Sequence, residues 1–320
     1  MNSVRELESY VCTLHDTRDQ LKSHVFARSD AAFAEGDQAR DRLLSPEVVR
    51  RRQSEIQQAF IRSIGGLPDA GSSLNASTTG VVRARGYVVE KVVFESSPDH
   101  YVTANLYLPD QREESSAAVL FLSGHELAAK HDPYYQRVIL HFVQAGLIVL
   151  AVDPLGQGER LGFYDPAGAD GPSMWGTQEH QQYGIQCHLL GDSVARYFVH
   201  DAMRAVDYLC ERPEVDPARI GVTGNSGGGT QTAMMMICDE RMAAAAPATF
   251  IMNRQTFMHA GGVQDAEQVW PGLSGLGYDH EDWLLAFAPK PLMVLATEYD
   301  FFPIEVRGEP STVASDSGRC

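Results

Sequence analysis

Gly224-Asn225-Ser226-Gly227-Gly228-Gly229 puts one serine hydroxyl inside a run of glycines, a combination suited to nucleophilic attack on an acyl carbonyl. The preceding Arg219-Ile-Gly-Val-Thr223 reads as a short apolar strand, and Thr230-Gln-Thr-Ala-Met-Met-Met236 as the following helix, so Ser226 falls at the apex of a strand-to-helix turn. Glycine is needed on both flanks because a nucleophile held in a strained turn leaves no room for neighbouring Cβ atoms. A helix opening near Gly228 also directs free N–H groups and partial positive charge at any oxyanion formed beside the serine. The chemistry this predicts is acyl transfer through a serine ester.

That chemistry requires further groups. One oxyanion donor is the N–H of Gly227, directly after the nucleophile. The second is expected in Leu122-Ser123-Gly124-His125-Glu126, where Gly124 lets the backbone approach a substrate and His125 or Glu126 presents its amide. We assign His125 a backbone role only; its ring is either hydrogen-bonded to a neighbouring loop or takes part directly in proton transfer. The acid is expected past a later strand, at Asp300 in Leu295-Ala-Thr-Glu-Tyr-Asp300, with Glu298 as rival and a plain surface-turn aspartate as the alternative. The histidine expected after that acid is not found, since the 20 residues after Asp300 contain none. Substitute bases are His280 and His259. The segment 306–320 lacks an amphipathic period and reads as a disordered tail, and the last strand and helix of the sheet are expected to be missing.

The elements that position these groups follow from periodicity. Tyr87–Phe94 and Tyr101–Leu108 alternate as strands around the turn residues Ser96-Ser-Pro-Asp-His100. Ala118–Leu122 and Leu147–Val152 are continuous apolar runs separated by a helical pattern over Tyr135–Ala145, as a parallel sheet covered on both faces demands. A helix carrying Val194, Tyr197, Phe198, Ala202, Ala205, Val206 and Leu209 on one face leads into the elbow strand, and Met242–Ile251 and Pro291–Ala296 read as two more strands. The fold class is α/β, a mostly parallel sheet flanked by helices. Domains are expected at 1–80 (helical extension and linker) and 81–305, with an insertion at 156–191 near the site. Ser45-Pro46-Glu47 looks like a helix start within the extension, whose helices either pack on the main domain or serve as a dimerisation arm. In the insertion, Tyr164, Trp175, His180, Tyr183 and His188 either wall a pocket or cap the core. Asp279 is the expected N-cap of a helix at His280.

Composition narrows the partners. With 26 basic and 42 acidic residues, a net charge of −16 opposes nucleic acid and anionic lipid. No apolar run reaches the length of a signal peptide or membrane helix, which makes a cytoplasmic location the expectation. The 5 cysteines have no paired zinc spacing and read as reduced thiols, so no metal and no cofactor are expected.

Taken together, Ala104–Pro109, Ser123-Gly-His125, Asp153-Pro-Leu-Gly-Gln-Gly-Glu-Arg160, Arg212–Asp216, Gly224–Gly229, Trp270-Pro-Gly272 and Asp300-Phe-Phe-Pro303 resemble the acetyl xylan esterase and cephalosporin-C deacetylase-like branch of the α/β-hydrolases, over about residues 80–306. The resemblance implies a cofactor-free serine esterase removing small acyl groups, typically acetate, from carbohydrate-like alcohols. It assigns Ser226 as nucleophile, Asp300 as acid, and the amides of His125 and Gly227 as oxyanion donors. In the 153–160 loop, Glu159 and Arg160 are expected to pair with each other and hold the turn. Alternatives are an esterase-like chain impaired by lack of a base, and a non-enzymatic interaction protein. Homo-oligomerisation stays open.

Overall fold

The computed structural model describes residues 19–164, 171–297 and 300–302. Glu298 and the 306–320 segment lie outside the described residues.

Seven strands form one sheet: β1 (Ser77–Ala84), β2 (Tyr87–Ser97), β3 (His100–Pro109), β4 (Ser116–Leu122), β5 (Ile148–Val152), β6 (Val215–Asn225) and β7 (Met242–Ala248), in the order β1-β2-β3-β5-β4-β6-β7. β1, β2, β3 and β5 pair antiparallel, and β5, β4, β6 and β7 run parallel. Parallel neighbours need crossovers, which are supplied by α3 (Pro133–Gln144), α5 (Ala195–Glu211) and α6 (Gly227–Cys238).

The sheet is buried on both faces at β4 and β5, whereas β6 and β7 alternate buried with partly exposed residues. Leu120 and Leu122 of β4 join the large core with Val199, Val206 and Met234, while Val119 and Phe121 point the other way onto Tyr135, Ile139 and Val143 of α3. This two-sided burial explains why β4 and β5 read as unbroken apolar runs.

The expected strand over Met242–Ile251 ends earlier, at Ala248, because Thr249 takes φ 52° and turns back toward the elbow. The expected strand at Pro291–Ala296 is reduced to two isolated parallel bridges, Ala245 with Leu292 and Ala248 with Leu295. It lies at the sheet edge with Met293 and Leu295 exposed, and Pro291 has no N–H to donate. Two elements were not expected. β1 is almost wholly exposed, and the insertion carries a helix, α4 (Thr177–Leu190).

In the N-terminal region, α1 (Gln20–Asp41) and α2 (Pro46–Ser63) lie on the main domain. Ser45 caps α2 by accepting the Val48 N–H at 3.3 Å. Phe60 of α2 is buried against Trp270, their ring centroids 4.9 Å apart. Arg40 and Arg52 both reach the buried Asp282 carboxylate of α8 (His280–Phe287), at 2.6 and 2.8 Å. Removing either arginine would leave that charge under-compensated, so the contact fixes the extension. No helix among the described residues is long and apolar enough to cross a membrane.

Candidate active site

Ser226 lies between the end of β6 and the first turn of α6 with φ 56° and ψ −116°, a conformation an L-residue holds only when its surroundings impose it. The imposition is visible. The Ser226 N–H donates to the Ala248 carbonyl at 3.0 Å and to Thr249 Oγ1 at 2.9 Å, and Thr249 Oγ1 donates to Asn225 Oδ1 at 2.7 Å. The end of β7 therefore clamps the apex. Packing below the turn excludes side chains, since a Cβ on Gly228 would lie 2.0 Å from the Leu122 carbonyl oxygen.

The Ser123–Glu126 loop closes over this turn. Tyr135 OH accepts the Gly124 N–H at 3.1 Å, and Gln157 Nε2 donates to the carbonyls of Gly124 (2.6 Å) and Glu126 (2.7 Å). The Glu126 N–H is spent as well, on the Gly124 carbonyl at 2.8 Å. Among the described residues, neither the His125 N–H nor the Gly227 N–H donates to another protein group. Two unspent donors beside a strained serine are what an oxyanion cradle requires.

The 153–160 loop that carries Gln157 is braced by ion pairs, though not by the one expected. Glu159 pairs with Lys130 at 2.6 Å and Arg160 with Asp201 at 2.8 Å, and Lys130 also pairs with the wholly buried Asp153. Asp201 is buried, which alone would raise its pKa; the adjacent Arg160 guanidinium, together with His100 and a hydrogen bond from Ser96, outweighs this and brings it to about 2.

The His125 ring is held between the elbow and the 265–268 turn. It lies on the elbow, where a Cβ at Gly227 would meet His125 Nε2 at 2.7 Å. The same nitrogen is 2.7 Å from Glu267 Oε1, and the other Glu267 oxygen is 3.2 Å from Nδ1 of His180 in α4. Burial disfavours charge on His125, but the hydrogen bond and negative charge of Glu267, with Asp265 and Glu126, raise its pKa overall. Burial likewise pushes Glu267 up, and the His180 charge together with hydrogen bonds from both histidines pulls it well below the usual carboxylate range. Glu267 escaped the sequence reading because its partners are distant in the chain; its nearest signal is the Trp270-Pro-Gly272 motif, and the Trp270 indole N–H donates to the Glu267 carbonyl at 2.9 Å.

The other sequence-derived candidates are placed apart from one another. His259, on α7 (Arg254–His259), is exposed and pairs with Asp30 of α1 at 2.9 Å. His280 is buried against Phe250, its Nδ1 accepting the Met252 N–H at 3.4 Å; burial and the nearby Arg254 charge hold its pKa well below the ordinary value. Asp300 stands beyond the last β-bridge, accepting from Thr297 Oγ1 at 3.2 Å and from the Phe301 N–H at 2.6 Å. The neighbouring Phe302 is buried against Phe250, which directly follows the β7 clamp. Of the insertion's rings, His180 is delivered to the elbow, while Tyr164 is exposed.

A family model for acetyl xylan esterase matches residues 69–268. YtaP of Bacillus subtilis (strain 168), provisionally named a hydrolase, is 23% identical over 207 residues, which cover 59% of this chain and 62% of YtaP. Among solved structures, methylesterase BT1017 superposes with a TM-score of 0.69 at 20% identity, covering 85% of this chain and 56% of that one. Acetyl xylan esterase 1 from Thermoanaerobacterium sp. JW/SL YS485 gives 0.55 at 16% identity, over 81% and 86%. The chain thus spans less than two thirds of the length of YtaP and of the methylesterase. At these identities the structural likeness establishes the α/β-hydrolase fold.

Proposed function

The chain belongs to the acetyl xylan esterase family, and we propose that it is a serine ester hydrolase acting on small acyl esters of carbohydrate-like alcohols, with Ser226 as the acyl acceptor. The observation that carries this reading is the strained Ser226 apex flanked by the unspent amides of Gly227 and His125. In the proposed reaction Ser226 Oγ attacks the ester carbonyl, the two N–H groups receive the developing oxyanion, and the alcohol leaves with a proton. Water then releases the acid from the acyl-serine. Asp300, on the segment whose bridges flank β7, is the proposed acid of the catalytic set.

A second reading is favoured by where the imidazoles are held. His125 Nε2 is engaged by Glu267, His259 by Asp30, and the His280 Nδ1 by Met252. Under that reading the cradle binds esters but turns them over at the rate an oxyanion hole sustains without a base, lower by roughly 10³ or more.

Hydrolysis of p-nitrophenyl acetate by the wild type and by Ser226→Ala separates the two. Turnover abolished by the substitution, with rapid stoichiometric labelling of Ser226 by an active-serine phosphonate, supports the first reading. Trace turnover and slow labelling support the second. Turnover unchanged in Ser226→Ala overturns both.

A further inference from the structure

We propose that His125, His180 and Glu267 form a binding site for one divalent transition-metal ion of the zinc type, beside the elbow. The inference is independent of the esterase reading and rests on hydrogen-bond bookkeeping around a buried carboxylate.

Glu267 is 1% exposed and sits in the 3-10 turn Ala266–Gln268, which is anchored to α6 by the Gln268 side-chain amide donating to Thr230 Oγ1 at 3.1 Å. Its oxygens face two imidazoles, Oε1 to His125 Nε2 at 2.7 Å and Oε2 to His180 Nδ1 at 3.2 Å. The other nitrogen of His180, Nε2, is 2.8 Å from the Leu155 carbonyl. A carbonyl only accepts, so Nε2 carries a proton, and in the neutral ring Nδ1 is then a lone pair. That lone pair points at a carboxylate oxygen, which also only accepts. Two acceptors in such contact require a cation, either a second proton on the ring or a metal ion.

The surroundings suit a metal. One ligand atom from each of the three residues lies within 4.8 Å of the others, so small side-chain rotations bring all three onto bonds of about 2.0–2.2 Å. The His180 Nε2–H donated to a backbone carbonyl is the outer contact that typically orients a ligating imidazole. Asp265 Oδ2, 3.8 Å from His125 Nε2, adds a second carboxylate beside the three, and two carboxylates would balance a double positive charge. The side chains of His125 and Asp265 are partly open, at 17% and 26% exposed, which leaves an entry path. Two imidazole nitrogens with carboxylate oxygens select zinc and its neighbours over calcium or magnesium. These donors come from three separate segments, the loop after β4, α4 and the 265–268 turn, so cysteine and histidine spacing in the sequence carried no sign of them.

The test uses the full chain stripped with EDTA and dialysed, titrated with Zn²⁺ by calorimetry and with Co²⁺ by visible absorption. One ion per chain, with affinity falling about tenfold or more in both Glu267→Gln and His125→Ala, is the expected result. His259→Ala, which removes a surface histidine paired with Asp30, is expected to bind as the wild type does. Far-UV circular dichroism checks that each variant is folded, and if Glu267→Gln does not fold, the partly exposed His125→Ala carries the comparison. Absence of stoichiometric binding, or binding undiminished in the folded variants, overturns the proposal. An apo chain that ignores both ions while NMR finds His180 doubly protonated at neutral pH identifies the cation as a proton and overturns it equally.

Discussion

The His125 ring stands over Gly227, its Nε2 at 2.7 Å from where a Cβ on that glycine would lie. One position further on, a Cβ on Gly228 would lie 2.0 Å from a backbone oxygen, that of Leu122. The two glycines therefore predict different failures. Gly227→Ala can be accommodated if the imidazole swings away, which breaks its bond to Glu267 and opens the side of the elbow where the proposed oxyanion would sit. Ester turnover should fall about tenfold or more while the urea midpoint moves little. Gly228→Ala cannot be relieved by a side chain, because β4 and α6 themselves must separate. It should cost about 4 kcal/mol or more in urea unfolding, in the range reserved for severe core disruption. Equal effects of the two substitutions on stability would contradict this division.

Ser226 holds its backbone at φ 56° and ψ −116° under the clamp of Ala248 and Thr249. Such a conformation costs about 1–3 kcal/mol in an L-residue, and glycine adopts it freely at an entropic cost of about 0.5–1 kcal/mol. Ser226→Gly should therefore unfold at higher urea, with a net gain of about 1 kcal/mol, while losing turnover and phosphonate labelling. A variant that is both inactive and less stable than wild type would mean the apex is not strained.

Gln157 reaches the active loop from behind, donating to the carbonyls of Gly124 and Glu126. For the proposed reaction it is a positioning residue, since it touches neither Ser226 nor the amides of His125 and Gly227. Gln157→Ala should lower kcat for p-nitrophenyl acetate by about tenfold with KM little changed, because ground-state binding survives while the amides lose their aim. Gln157→Glu replaces the donor by an acceptor facing two carbonyls and should be worse than alanine. A merely structural role would lower the melting temperature and leave kcat per folded molecule intact.

Local chemistry made part of this legible. The Ser226 apex is written within a dozen consecutive residues, and β4 and β5 declare themselves because burial on both faces leaves only apolar residues. β1 escaped because nearly every residue in it is exposed, so no alternation marks it. α4 escaped for the opposite reason: the residues it buries are Glu179, His180, Gly184 and Cys187, a face without an apolar stripe. The Glu267 cluster was beyond reach because its contacts span 142 and 87 residues of chain, and only the crossovers around β4 and β6 bring them together. Where Asp300 and the other two histidine candidates stand relative to Ser226 likewise depends on long-range packing.

Asp279 provides a pH test of the packing behind the elbow. It caps α8, accepting the His280 N–H at 2.6 Å and the Arg254 N–H at 3.2 Å. Burial raises its pKa, and the two N–H donors and the Arg254 charge only partly oppose this, so the carboxyl titrates at about 6 against an ordinary 3.8. The folded chain thus binds a proton that the unfolded chain has released between those values, and stability falls as pH rises through that window. A shift of about two units corresponds to roughly 3 kcal/mol at most. Asp279→Asn keeps an acceptor at the cap and has no charge to desolvate. The difference in urea stability, wild type minus Asp279→Asn, should decline between about pH 4 and pH 6 and stay flat above that. A difference that is constant across the window, or that grows in favour of wild type as pH rises, would show that Asp279 is already ionised in the folded chain at low pH.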